Sequence, residues 1–215
     1  MVSFDYPNSP NPLQARPPTT RGFLQVWLSA VTRPSLENYR ELLNDRNVTL
    51  GWLFVVVTIT TILGGLGQLY LPVLYGLEAT EGVIINIAFT ILCSPLISGI
   101  SLVFWLLFTG GTHFIITSFL GGQGQFDQLA FLYAAYQAPM QLVFGLFSLI
   151  PFVGLCLLLP YLAYSVTLGV ISINAAHNVG WVNSVAGYFA MPLAFIFLFV
   201  CCIMTFAALI LVTSG

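Results

Sequence analysis

The sequence predicts an all-α membrane protein, a five-helix transmembrane bundle with an amphipathic N-terminal cytoplasmic segment. Three observations predict it. Hydrophobic residues make up 58% of the 215 residues and charged residues only 6%, against about a quarter charged in soluble domains. The mean hydropathy is +0.96, so lipid must be the solvent for most of the chain. The apolar residues also fall into five long runs, each near the roughly 20 residues that cross a hydrocarbon core.

Residues 1–20 are polar and carry Pro7, Pro10, Pro12, Pro17 and Pro18. They read as a flexible, extended tail. No apolar core of a cleavable signal peptide stands there, so the first span is expected to serve as the insertion signal. Residues 21–46 read as two amphipathic helices. From Arg21 to Thr32, Phe23, Leu24, Trp27, Leu28 and Val31 recur at helical spacing. This stretch is too short to span and has arginine at both ends. It suits a helix lying in the membrane interface, anchored by Phe23, Trp27, Leu28 and Val31; packing on other protein fits the pattern equally. Pro34 fits the first position of the next helix. There Leu36, Tyr39, Leu42 and Leu43 take one side and Glu37, Arg40 and Glu41 the other. Asp45-Arg46-Asn47 ends it at the membrane surface. The sequon Asn47-Val48-Thr49 is placed in the cytoplasm, where it would be inert.

Residues 47–215 hold the spans. The first, 50–70, contains Gly64, Gly65 and Gly67, which permit close helix contact. A loop at 71–81 holds Pro72, Glu78 and Glu81. The second runs from 82 to 108, and its apolar pattern continues through His113 to Leu120. One straight helix of that length would reach roughly 57 Å. It must project beyond the core or break at Gly110-Gly111, and projection is the expectation. Gly121-Gly122-Gln123-Gly124 is a loop. The third span, 127–149, is followed by a turn at Pro151, then the fourth at 152–176. A polar connection at 177–183 leads to the fifth at 185–212. Pro95, Pro139, Pro160 and Pro192 lie inside spans, where lipid-embedded helices tolerate them.

Charge sets the expected orientation. All five cations, Arg16, Arg21, Arg33, Arg40 and Arg46, precede the first span, and there is no lysine. Positive charge stays inside, which puts the N-terminus in the cytoplasm and, after five crossings, the C-terminus outside. The basic face that nucleic acid requires is missing.

Little in the sequence carries chemistry. Cys93, Cys156, Cys201 and Cys202 sit in apolar runs without zinc spacing and read as small packing residues. His113, Asp127 and His177 fall in one layer and are the candidate metal ligands; the reading taken is polar residues at the interface, with no metal and no cofactor. The glycine loop lacks the Lys-Ser/Thr of a phosphate-binding loop. Transporters usually keep buried ionisable groups for coupling, and here the spans offer only Asn86, Gln137, Gln141 and Asn174. These are read as hydrogen-bonding contacts between helices. Ala134 and Ala138 form a close-packing face. A serine nucleophile has no base inside the bilayer, so no enzyme is expected.

Several segments, in order, resemble the Yip family of small five-span membrane proteins that interact with Ypt/Rab GTPases. They are Arg33-Pro34-Ser35-Leu36-Glu37 before the first span, Leu120-Gly121-Gly122-Gln123-Gly124-Gln125-Phe126 after the second, an alanine- and tyrosine-rich third span ending in Pro139, and Ala175-Ala176-His177-Asn178-Val179-Gly180-Trp181 before the last. The resemblance covers about residues 25–213. The Asp-Leu-Tyr-Gly-Pro signature of eukaryotic members is absent, with Tyr75-Gly76 its nearest echo. The resemblance therefore implies a divergent, prokaryotic member in the plasma membrane, and a GTPase partner is not carried over. The function expected is a non-enzymatic interaction or scaffold protein with membrane lipids and other membrane proteins as partners, or an accessory subunit of a larger complex. The rival is a passive transporter or channel for a small, weakly polar solute along Asn86, Gln137, Gln141 and Asn174.

Overall fold

The computed structural model describes residues 21–44, 50–74, 81–150 and 153–214. The proline-rich tail, the Asp45-Arg46-Asn47 segment with the sequon, the Tyr75-Gly76 echo, Glu78 and Pro151 lie outside the described residues. So do the side chains of Gly64, Gly65, Gly67 and Asn86. The described residues form seven helices: α1 Phe23–Thr32, α2 Leu36–Leu42, α3 Leu50–Leu74, α4 Glu81–Phe119, α5 Phe126–Ser148, α6 Val153–His177 and α7 Trp181–Ser214.

Local chemistry sets several of these ends. Ser35 caps α2, its Oγ accepting from the Asn38 N–H at 3.2 Å, which satisfies one of the donors a helix start leaves free. Pro34 consequently precedes the cap and is not the first helical residue. At the start of α5 the Gln125 N–H donates to Gln128 Oε1 at 3.3 Å. After α4 and α6 the chain turns through left-handed residues, Gly121 with φ 73° and Asn178 with φ 52°. Glycine and asparagine are the residues that reach this region at least cost.

The long α4 does not break at its glycine pair; it runs through Pro95, Gly110 and Gly111 as one helix of 39 residues. Gly111 is small for a packing reason. A Cβ there would lie 2.3 Å from Met191 of α7, and one at Gly187 would lie 2.7 Å from Ile116 of α4. Each helix uses a glycine to seat the other's side chain.

α5 is the centre of the assembly and touches α1, α3, α4 and α6. Its Leu129, Leu132, Tyr133, Ala135, Tyr136 and Ala138 are fully buried. Ala134 and Ala138 lie in the buried core, where small residues allow close helix approach.

Two expectations are corrected. Among the described residues four helices, not five, are long and apolar enough to cross a membrane: Ala88–Phe119, Phe126–Phe147, Cys156–His177 and Trp181–Thr205. α3 is a helix of 25 residues, of which Gly51–Leu63 is the apolar stretch whose side chains are described. The expected N-inside, C-outside orientation fails with it. Four crossings are an even number, which puts both flanks of the set on the same side.

Candidate functional site at the α1–α2 end

The end of the bundle built by α1, α2 and the two interhelix loops is where polar chemistry concentrates. α1 and α2 fold onto each other through Asn38. Its Nδ2 donates to the carbonyls of Ser29 (3.0 Å) and Arg33 (2.9 Å), and its Oδ1 accepts from Ser29 Oγ (2.7 Å). Every polar atom of this buried amide is thus engaged, which a buried amide requires. Tyr39 is fully buried beside it and donates to the Ala30 carbonyl at 2.9 Å. Burial, with Tyr164 nearby, holds its phenol well above the ordinary range, so it stays a neutral donor. Tyr164 of α6 donates in turn to the Val31 carbonyl, tying α1 to the bundle.

The face of α1 that docks is rotated from the apolar stripe of the sequence. Val26, Trp27 and Ala30 are buried, whereas Leu24 and Leu28 are 63% and 65% exposed. Small Ala30 and slim Val26 let the backbone approach α5. Phe23 stacks on Trp52 at 4.3 Å, and Trp27 meets both rings edge-on at 5.4 and 6.3 Å. Of the four residues expected to anchor in the interface, Trp27 is buried, Phe23 and Val31 are partly buried and Leu28 is exposed.

The two loops are stitched together. The Gln123 N–H donates to the His177 carbonyl at 3.2 Å. A Cβ at Gly124 would sit 2.0 Å from the Ala176 carbonyl oxygen, and one at Gly122 would sit 2.5 Å from Ile116 and 3.1 Å from His177. Gly124 is thus a seat against the α6 backbone and Gly122 a seat against Ile116 and His177. Asn183 Nδ2 reaches the Leu120 carbonyl at 3.4 Å, and an Arg40 guanidinium N–H donates to Asn178 Oδ1 at 2.7 Å. α2 is thereby clamped to the turn between α6 and α7.

His113 and His177 meet beneath these loops, His113 Nδ1 to His177 Nε2 at 3.4 Å. Phe126 stands edge-on to His113 at 5.9 Å. The third expected member, Asp127, is exposed in the first turn of α5, where a carboxylate complements the helix dipole. Among the described residues no group of three or more His, Cys, Asp and Glu could hold a metal ion.

The polar residues expected as contacts between helices play different parts. Trp105 of α4 donates its indole N–H to Gln137 Oε1, and Gln137 Nε2 donates to Tyr136 at 3.4 Å. Asn174 is buried in α6. Gln141 instead lines a cavity of about 490 Å³ between α3, α4, α5 and α7. Asn38, Asn178 and the tyrosines of α5 carry more of the architecture than the sequence reading assigned to them. An asparagine inside an amphipathic helix, three residues after a serine cap, was the available signal for the first. Asn-Val-Gly after a long apolar run was the signal for the second.

No curated protein and no solved structure matches the chain at a significant level. The Yip1 domain, however, is recognised over residues 28–204, a range that takes in α2 to α6 whole, half of α1 and the larger part of α7, and the protein therefore belongs to the Yip1-domain family.

Proposed function

We propose that this protein is a non-enzymatic interaction protein of the membrane, a scaffold whose α1–α2 end is the recognition surface for a neighbouring membrane protein. The observation that carries the reading is the way α1 and α2 are held. Asn38 and Tyr39 bind α2 to α1, Trp27 packs against Trp52 of α3 and Tyr164 ties the pair to α6, while Leu24, Leu28, Arg33 and Glu37 stay exposed. A surface ordered in advance loses less conformational freedom when a partner binds. Aromatic and aliphatic side chains beside exposed charge suit a protein partner at the membrane surface.

The test is extraction from the native membrane in mild detergent, followed by size exclusion. The wild-type chain is expected to elute with a partner in fixed stoichiometry. A variant carrying Leu24→Glu and Leu28→Glu is expected to stay in the membrane fraction yet elute without it. Elution of the wild-type chain alone, as monomer or homo-oligomer, overturns the proposal.

A further inference from the structure

The cavity between α3, α4, α5 and α7 contains an unanswered hydrogen-bond group. It lies within the crossing segments, and Leu53, Leu102, Trp105 and Phe108 give it apolar walls. Phe104 and Phe195 also line it and are 58% and 43% exposed, so it reaches the lipid-facing surface. Three polar lining groups are already committed. Thr60 Oγ1 donates to the Val57 carbonyl at 3.0 Å, Ser101 Oγ to the Ile97 carbonyl at 2.8 Å, and the Trp105 indole to Gln137. Gln141 is different. Its Oε1 is buried and has no hydrogen-bond partner, a costly state in an apolar surround.

We infer that this cavity is a binding site for a bilayer lipid that carries a hydroxyl group on an apolar chain, the hydroxyl pairing with the Gln141 amide and the chain filling the slot toward Phe104 and Phe195. A single water at the amide would leave the apolar walls of a cavity of about 490 Å³ unfilled, whereas a hydroxyl on an apolar chain answers the amide and fills the slot. A hydroxyl both donates and accepts, so it pairs with the amide whichever way the amide is turned. The volume lies in the roughly 300–1,000 Å³ range of small-ligand pockets. The inference goes beyond the interaction reading and does not rest on it, since the bundle would hold the lipid with or without a protein partner.

The experiment uses the full chain in nanodiscs and two photoactivatable probes of equal length, a long-chain alcohol and the corresponding alkane. Labelling is mapped by mass spectrometry and normalised to the α7 segment around Phe197, Leu198 and Phe199, which faces lipid. The alcohol is expected to label peptides containing Leu102–Phe108 or Gln141 roughly fivefold more than the alkane, the worth of one neutral hydrogen bond of about 1 kcal/mol. Unlabelled hexadecanol should compete on the wild-type protein, and hexadecane should not. Gln141→Leu should erase the preference, and Leu102→Trp should lower labelling by both probes. Equal labelling by both probes, or a preference that survives Gln141→Leu, overturns the site. Crosslinks in native membranes from the same residues to another protein would give the cavity to a neighbour's side chain, and would also overturn it.

Discussion

α5 and α7 invert the rule that holds in water. α5 is the least apolar of the four crossing helices and α7 the most apolar, yet 56% of the residues in the most apolar stretch of α5 are buried inside the protein, against 6% in that of α7. In water the greasier helix would be the core. In a bilayer the tails of the lipid are as apolar as leucine, so apolarity gives no preference for protein over lipid. What selects the interior is close packing and hydrogen bonding, and α5 supplies both through Ala134, Ala135, Ala138, Tyr136 and Gln137. α7 supplies Phe195, Phe197 and Phe199, which lipid solvates well.

The sharpest way to break this comparison is at the loop that leads into α5. Gly124→Ala should cost about 3 kcal/mol, the upper range for overpacking, because the new methyl meets the Ala176 carbonyl and backbone cannot step aside. Gly180→Ala, whose methyl meets nothing within 4 Å, should leave the thermal midpoint in detergent unchanged. Equal midpoints for the two variants would show that the loop is not seated on α6. Next in size, Ala135→Leu at a fully buried position of α5 should cost about 2 kcal/mol, while Leu198→Ala on α7 should stay within about 0.5 kcal/mol. A large loss from the α7 variant would mean that protein, and not lipid, covers that face. The smallest effect is at the docked hairpin. Tyr39→Phe removes one buried bond to the Ala30 carbonyl, a loss of about 1 kcal/mol, read as faster proteolysis within α1 and α2 with the spans untouched.

A related expectation concerns pH. The Tyr39 phenol is raised above its ordinary value of 10.0. Its contribution to holding α2 in place is complete below that value and declines as pH climbs above it toward the raised folded value. Protease protection of α2 should therefore be flat through neutral pH and fall only in strong alkali, and Tyr39→Phe should flatten that alkaline fall.

Much of the helix pattern was legible because apolar runs in lipid are bounded by breakers that any reading notices. The span expected at 127–149 is α5 at Phe126–Ser148, and that expected at 152–176 is α6 at Val153–His177. What did not show was which side of a helix faces protein. The apolar stripe of α1 takes in Phe23, Leu24, Trp27, Leu28 and Val31 and suits the interface or protein equally, whereas the buried face runs through Val26, Trp27 and Ala30. Apolar size marks a face only where water is the alternative. The histidines were placed in one layer by loop counting, and the structure brings His113 and His177 together. Asp127 stayed out because a helix N-terminus offers a carboxylate a better position. The crossing count differs at α3, a continuous helix of 25 residues of which Gly51–Leu63 is the described apolar stretch.

The length of α4 has one further consequence. Its apolar part, Ala88–Phe119, holds 32 residues, about 48 Å along the axis, against a core of roughly 30 Å. Lying at the usual tilt of about 20° leaves a surplus. The apolar stretches of α5 and α6 hold 22 residues each, about 33 Å, and match the core, so the surplus belongs to α4 and not to the bundle. His113, near the Phe119 end, meets His177 beside the interhelix loops, so the extra turns carry that end of α4 out of the hydrocarbon as a rigid post beneath the loops.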